Sequence, residues 1–130
     1  MVNFGPPDTV PQKFRDAGRL FYEWNPSVTL MRTNVEENRR LGEIFAAKAN
    51  AARGPLAVIL PLGGVSVLDG DGQPFCDRAA DAAMFASLRE NLRNDIPVVE
   101  VDANINDPAF AEQAVKMMLQ LIGPAVRTNQ

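Results

Sequence analysis

The sequence has no histidine among its 130 residues and only one cysteine, Cys76. The first absence removes the commonest general base, the usual nucleophilic triads and most zinc sites. The second excludes an internal disulfide and fits a reducing compartment, so the expected location is cytoplasmic. Lys and Arg, 13 in all, form no block, which argues against nucleic acid as a partner. No apolar run approaches the length of a membrane span. The N-terminus has neither the basic start nor the apolar stretch of a signal peptide, so no membrane partner is expected. Neither G-x-x-x-x-G-K-[ST] nor G-x-G-x-x-G occurs, so both standard nucleotide fingerprints are missing. What remains is an ordinary globular composition of single-domain size, 46% apolar and 22% charged with a net charge of −3.

The order of elements can be read from periodicity and punctuation. Met1-Val2-Asn3-Phe4 reads as the end of a strand, broken by Gly5-Pro6-Pro7. It is either a chain that begins inside a larger fold or a short first strand at a sheet edge. Residues 19–31 are rich in β-branched and aromatic side chains around Asn25-Pro26 and predict one or two short strands. A helix follows, opened by the capping-box spacing of Thr33 and Glu36, carrying Leu41, Ile44, Phe45 and Ala49, and ended by Gly54-Pro55. The unbroken apolar run 56–62 predicts a strand covered on both faces. Asp77 predicts the N-cap of a second helix with Phe85, Leu88 and Leu92 on one face. A strand is predicted at 96–103. A last helix starts at Asp107-Pro108, with a stripe of Phe110, Ala114, Met117 and Leu121 widened by Val115, Met118 and Ile122, and stops at Gly123-Pro124. This alternation predicts right-handed βαβ units. The expected fold is α/β, a Rossmann-like or flavodoxin-like three-layer sandwich with a mostly parallel sheet. Residues 1–130 form one domain in this reading, with 125–130 a frayed tail.

Ligands of such sheets collect beyond the carboxyl ends of the strands, which narrows the search to a few loops. Gly63-Gly64 follows a strand directly, permits positive φ and lets another group approach without a Cβ in the way. Successive N–H groups there can form an anion-binding concavity, with Ser66 adding a hydroxyl. Arg32 supplies a bidentate cation for phosphate or carboxylate. The bland readings stand beside these: Gly63-Gly64 as a plain turn, Arg32 as a surface ion-pair residue, Thr33 and Asp107 as helix caps. Asp69 and Asp71 alternate with glycines as in a calcium loop, but the twelfth position is Ala80, not the required glutamate. Asp69 and Asp102 are candidates for a magnesium carried by a nucleotide, or with Asp71 for an all-oxygen hydrolase site. Cys76 precedes a helix start, where a thiolate is favoured, but lacks a histidine base. Phe14, Phe21, Tyr22 and Trp24 are either core or a surface that packs on another domain or subunit.

Four stretches carry a resemblance: MVNFGPPDTVP, NPSVTLMRTNVEENRRLGEIFAAK, GPLAVILPLGGVSVLDGDGQPFCD and VVEVDANINDPAFAE. Together they resemble the C-terminal part of the uncharacterised ATP-binding protein family related to the tomato mosaic virus resistance protein. The resemblance covers nearly the whole chain. It implies that the chain is the larger part of the second Rossmann-like subdomain of a longer protein. It also implies a homodimer, with the N-terminal subdomain of the parent as a further partner. ATP with magnesium is implied for the full-length protein; the residues themselves name no cofactor. The ligand or phosphate positions that match are Arg32, Thr33, Gly63, Gly64, Ser66, Asn104 and Asn106. Two functions stay open. One is part of a nucleotide- or phosphate-binding protein acting on a small phosphorylated or carboxylated metabolite. The other is a non-catalytic interaction or dimerisation module.

Overall fold

Pro26 and Ser27 alone separate two strands, and this short link decides the architecture of the first part of the chain. The computed structural model describes residues 1–123. These divide into two compact units, Met1–Asn34 and a second from Val35 onward. The frayed tail expected at 125–130 lies outside the described residues.

In the first unit, strand β2 is Phe21–Asn25 and strand β3 is Val28–Met31. A parallel crossover needs a dozen residues or more, so a link this short forces an antiparallel hairpin. Phe21 faces Met31, Tyr22 faces Leu30 and Glu23 faces Thr29, with a register shift between Glu23 and Asn25. The Ser27 N–H donates to Asn25 Oδ1 at 2.8 Å, an Asx turn that suits this bend. Strand β1, Val2–Asn3, pairs antiparallel on the other side of β3, giving the order β1-β3-β2. Along β3 the side chains alternate, with Thr29 and Met31 buried. From the short helix α1, Gln12–Asp16, the Phe14 ring lies 5.5 Å from that of Phe4, with Lys13 and Arg19 against it. Tyr22 and Trp24 form a separate pair, and Trp24 is exposed.

The second unit opens with helix α2, Val35–Asn50. It starts one residue later than the expected capping box requires. Asn34 therefore precedes it, and the Glu36 carboxylate instead accepts from Arg39 Nε and Nη2 at 3.0 and 2.8 Å. The inward stripe also differs from expectation. Asn38, Gly42 and Ala46 are buried, while Ile44 and Phe45 are exposed. The reason is helix α3, Arg78–Asn91, which crosses α2 so closely that only small side chains fit between them. A Cβ on Gly42 would stand 2.4 Å from the Met84 carbonyl oxygen and 2.8 Å from the Leu88 nitrogen. Past this crossing, Ala46, Leu88, Leu92 and Ile96 form the buried core, with Ala49, Leu56, Val58 and Val98 against it. Full burial of a residue such as Leu88 contributes about 1.5–3 kcal/mol.

Strand β4, Val58–Pro61, and strand β5, Val98–Val101, pair in parallel, Val58 opposite Val98 and Pro61 opposite Val101. Helix α3 joins them, so one βαβ unit exists as the alternation implied. Asp77 caps α3 as expected, accepting from the Ala80 N–H at 2.9 Å. Helix α4, Pro108–Ile122, has its proline in the first turn and Gly123 at φ 51° after its end. Its expected apolar stripe is only partly covered: Met117 is buried, Val115, Met118 and Ile122 are exposed, and so is Leu119, outside that stripe.

The expected three-layer Rossmann-like or flavodoxin-like sandwich with a mostly parallel sheet is thus corrected. Among the described residues the chain forms a three-stranded antiparallel sheet and a two-stranded parallel one. The alternation of strands and helices places 19–31 in a parallel sheet, whereas the length of the link between its halves sets the direction. No helix among the described residues is long and apolar enough to cross a membrane.

Candidate functional site

The carboxyl ends of β4 and β5 are where the second unit concentrates its polar groups. After Pro61 the ladder runs one step further, with the Leu62 N–H donating to the Val101 carbonyl at 2.9 Å. Gly63 then crosses to the other loop and donates to the Ala103 carbonyl at 2.9 Å. There is no room for a side chain at this crossing. A Cβ on Gly63 would lie 2.6 Å from Asn104 N, and one on Gly64 would lie 2.7 Å from Asn104 Nδ2 and 2.8 Å from Asp69 O. Gly64 also takes φ 125°, which side-chain-bearing residues rarely adopt. The close approach that the two glycines permit is therefore that of the chain's own backbone. Their N–H groups are engaged too, Gly64 to Pro61 O at 3.3 Å, and the next, Val65, to Asp69 Oδ2 at 2.8 Å.

Asn104 fastens this junction from the second loop. Its Nδ2 donates to Gly63 O at 3.3 Å and to Ser66 O at 2.8 Å. Its Oδ1 accepts from the Asn106 N–H at 3.0 Å and from Asn106 Nδ2 at 3.1 Å. Its own N–H donates to Asp107 Oδ2 at 2.7 Å. The Ile105 N–H returns to Gly64 O at 2.9 Å. The two loops thus form one rim. In it the Ser66 hydroxyl oxygen is buried and has no hydrogen-bond partner among the described residues.

Beneath the rim lies a charged cluster that the sequence reading did not assemble. Asp69 is wholly buried, its Oδ2 bound to Val65 N–H and its Oδ1 to Asp77 N–H at 3.3 Å. The Arg78 guanidinium reaches it and three neighbours. Nη1 donates to Asp69 O at 3.0 Å and to Asp81 Oδ2 at 3.1 Å. Nη2 donates to Gly63 O at 2.9 Å and to Asp71 Oδ1 at 2.8 Å. The hydrogen bond that Arg78 donates to Asp71 is the largest influence raising the Arg78 pKa, with burial opposing and the bond to Asp81 adding to the rise. One signal in the sequence pointed to Arg78. It is the first residue of a helix, where the dipole disfavours a cation, so its charge needs compensation from elsewhere.

The residues expected to bind ligand divide by unit. Gly63, Gly64, Ser66, Asn104 and Asn106 come together in the rim. Arg32 and Thr33 belong to the first unit and are buried there. The Arg32 backbone N–H donates to Leu20 O and its carbonyl accepts from Arg19 Nη2, both at 2.9 Å. Cys76 is exposed in the loop before α3. Among the described residues no three Asp, Glu, His or Cys side chains stand together as a metal cluster. An apolar groove of about 360 Å³ also opens beside β4, lined by Phe45, Ile59, Val65, Met84 and Ile105 among others.

Residues 1–122 match the C-terminal domain of an uncharacterised protein family, UPF0261. The chain is 46% identical over 126 residues to a UPF0261 protein of Rhizobium meliloti, covering 95% of this chain and 31% of that protein. It is 41% identical over 123 residues to a UPF0261 protein of Clostridium tetani, covering 94% and 30% respectively. It is 38% identical over 123 residues to the ToMV resistance protein Tm-1(GCR237) of Solanum lycopersicum, covering 93% of this chain and 16% of that one. The chain spans about a third of the length of the bacterial relatives it matches.

Proposed function

The chain belongs to the UPF0261 family, as its C-terminal domain, and from that premise we propose that it is part of a nucleotide- or phosphate-binding α/β protein. The substrate class is a small phosphorylated or carboxylated metabolite. The observation that carries this reading is the rim. Two loops at the carboxyl ends of parallel strands are locked to each other, with a guanidinium bound to the glycine loop. A rim held this way presents polar groups without reorganising when a ligand arrives, which lowers the cost of binding.

The residues fit one oxyanion group better than a whole triphosphate. The N–H groups of Gly63, Gly64 and Val65 are already donating, so a cradle of free backbone N–H groups is not available. The donors for an oxyanion are the Asn106 amide and the Arg78 guanidinium, with the buried Ser66 hydroxyl, unpartnered among the described residues, behind them. Asn104, Gly63 and Gly64 position them. Arg32 and Thr33, in the first unit, are proposed separately as ligand-binding positions of that unit. ATP with magnesium belongs to the proposal for the longer protein, its remaining contacts supplied by an N-terminal subdomain and its setting a cytoplasmic homodimer. A thermal-shift series against ATP, ADP and small phosphorylated acids, with and without magnesium, tests the reading. Ligand at about a hundred times its dissociation constant adds about 2.7 kcal/mol of stability. A shift that Ser66→Ala and Asn106→Ala both reduce is the expected result. No shift with any of these ligands, in this chain or in a full-length relative, would count against it.

One feature favours the second reading, an interaction module. Val115 and Leu119 on α4 are 60% and 62% exposed, with Met118 at 58%, and a contiguous apolar surface of this kind marks a contact site. Leu119→Asp is expected to weaken self-association in sedimentation. A parent chain that stays monomeric at high concentration would rule out the homodimer.

A further inference from the structure

Among the described residues strand β4 is paired with β5 on one side, and its other edge has no strand beside it. Parallel pairing turns alternate residues toward the partner strand. The Val58 N–H donates to the Pro97 carbonyl and the Leu62 N–H to the Val101 carbonyl, both at 2.9 Å. Val58, Leu60 and Leu62 therefore turn their backbone groups toward β5. Ile59, between them, turns its N–H and carbonyl to the open edge. So does Pro61, which has no N–H to leave unsatisfied and whose carbonyl accepts from the Gly64 N–H at 3.3 Å. The open part of the edge thus ends at Pro61.

A groove follows this edge. One part, of about 360 Å³, is lined by Val58, Ile59, Leu60 and Pro61 in succession. Side chains alternate between the two faces of a strand, so a groove that meets four consecutive residues runs along the edge and not over one face. A second part, of about 480 Å³, shares Phe45, Val58 and Leu88 with the first and continues it past Ala57 and Leu56. From Leu56 to Pro61 the lining matches the length of an ordinary strand, about five to six residues. Phe45 of α2 borders both parts and is 54% exposed, so the large side chain that the α2–α3 crossing leaves out stands beside the open edge. On the other side of the pair, β5 carries a charged residue, Glu100, bound to Arg89, a common guard of an open strand.

We infer that the open edge of β4 receives an apolar strand from the part of the longer protein that lies outside this chain. The chain spans 31% and 30% of two bacterial relatives, so most of the length of such a protein is available to supply it. The strand bonds the Ile59 N–H and carbonyl through its own backbone, and its alternate side chains fill the groove beside Phe45 and Met84. A compact apolar ligand would fill the same groove and leave those two backbone groups without a partner.

Hydrogen exchange resolved by residue, in this chain and in the full-length Rhizobium meliloti relative, tests this. In this chain the amides of Val58 and Leu60 are expected to exchange slowly and that of Ile59 fast. In the relative, the amide at the position matching Ile59 should exchange about tenfold more slowly than here, the order that one added ladder hydrogen bond supplies. Thermal unfolding of Ile59→Pro and Ile59→Ala gives a second reading. Both remove the side chain, and only proline removes the outward N–H. The two variants should melt alike in this chain, and the proline variant should melt lower when the substitutions are made at the matching position of the relative. Equal exchange in the two proteins, or an equal difference between the variants in both, overturns the inference. Protection at Ile59 that rises with the concentration of this chain also overturns it, by assigning the edge to a second copy.

Discussion

Gly64 shows how far a single residue can carry two demands at once. Its φ of 125° excludes most side chains, and its neighbours Asp69 O and Asn104 Nδ2 fill the space a Cβ would take. Gly64→Ala is therefore expected to cost about 2–4 kcal/mol, strain and overpacking together, read as a lower midpoint in chemical denaturation. Asp69 is as constrained by a different means. Both its oxygens accept from backbone N–H groups, of Val65 and Asp77, in a fully buried place beside Arg78. Asp69→Asn keeps the shape but points an amide donor at one of those N–H groups and leaves Arg78 with less compensation. A loss of about 3 kcal/mol is expected by the same measurement. From sequence, the need for backbone freedom at Gly63-Gly64 was legible. What it served was not: a glycine pair reads alike whether it admits a ligand or another loop, and that other loop lies some forty residues away in the chain.

Helix ends and short-range signals were the most legible elements, because their causes are local. Asp77 before α3 and Pro108 opening α4 both stand where the cap rules put them. The apolar face of α3 was also correct, with Phe85, Leu88 and Leu92 all buried. The face of α2 was not. Ile44 and Phe45 are larger and more apolar than Gly42 and Ala46, yet the small residues face inward because α3 approaches to backbone contact. Hydrophobicity counts favour large side chains and cannot register a crossing that selects for small ones. Gly42→Ala tests this. In an isolated helix the change helps by about 1 kcal/mol. Here the added methyl meets the Met84 carbonyl and the Leu88 nitrogen, and a net loss of about 1–3 kcal/mol is expected in thermal unfolding. The first strands were found from their composition, but their antiparallel direction follows from the shortness of the link at Pro26-Ser27, a length constraint that the alternation of strands and helices obscured.

At the scale of the whole molecule, the alternating pattern predicts one sheet, and the described residues make two. The pattern names elements; it does not say which strands pair. The parallel pair and its crossover helix follow from the sequence because α3 separates β4 from β5 by enough chain for a crossover. The family match covers residues 1–122 while the chain spans about a third of its bacterial relatives, so the activity of the longer protein is tested in a full-length relative alongside this chain. The rim has a further bearing, on the order in which the molecule assembles. Asn104 closes hydrogen bonds to Gly63 and Ser66 across 41 and 38 positions of sequence. Contacts so distant along the chain bear a loop-closure cost before they contribute anything, and they form late. During synthesis, the glycine loop emerges well before the residues that shape it. A nascent chain halted before β5 would carry every residue from Gly63 to Arg78 and still have no rim. Hydrogen exchange at the Gly63 amide, whose acceptor is the Ala103 carbonyl, should be unprotected in such a chain and become protected once Asn104 is in place.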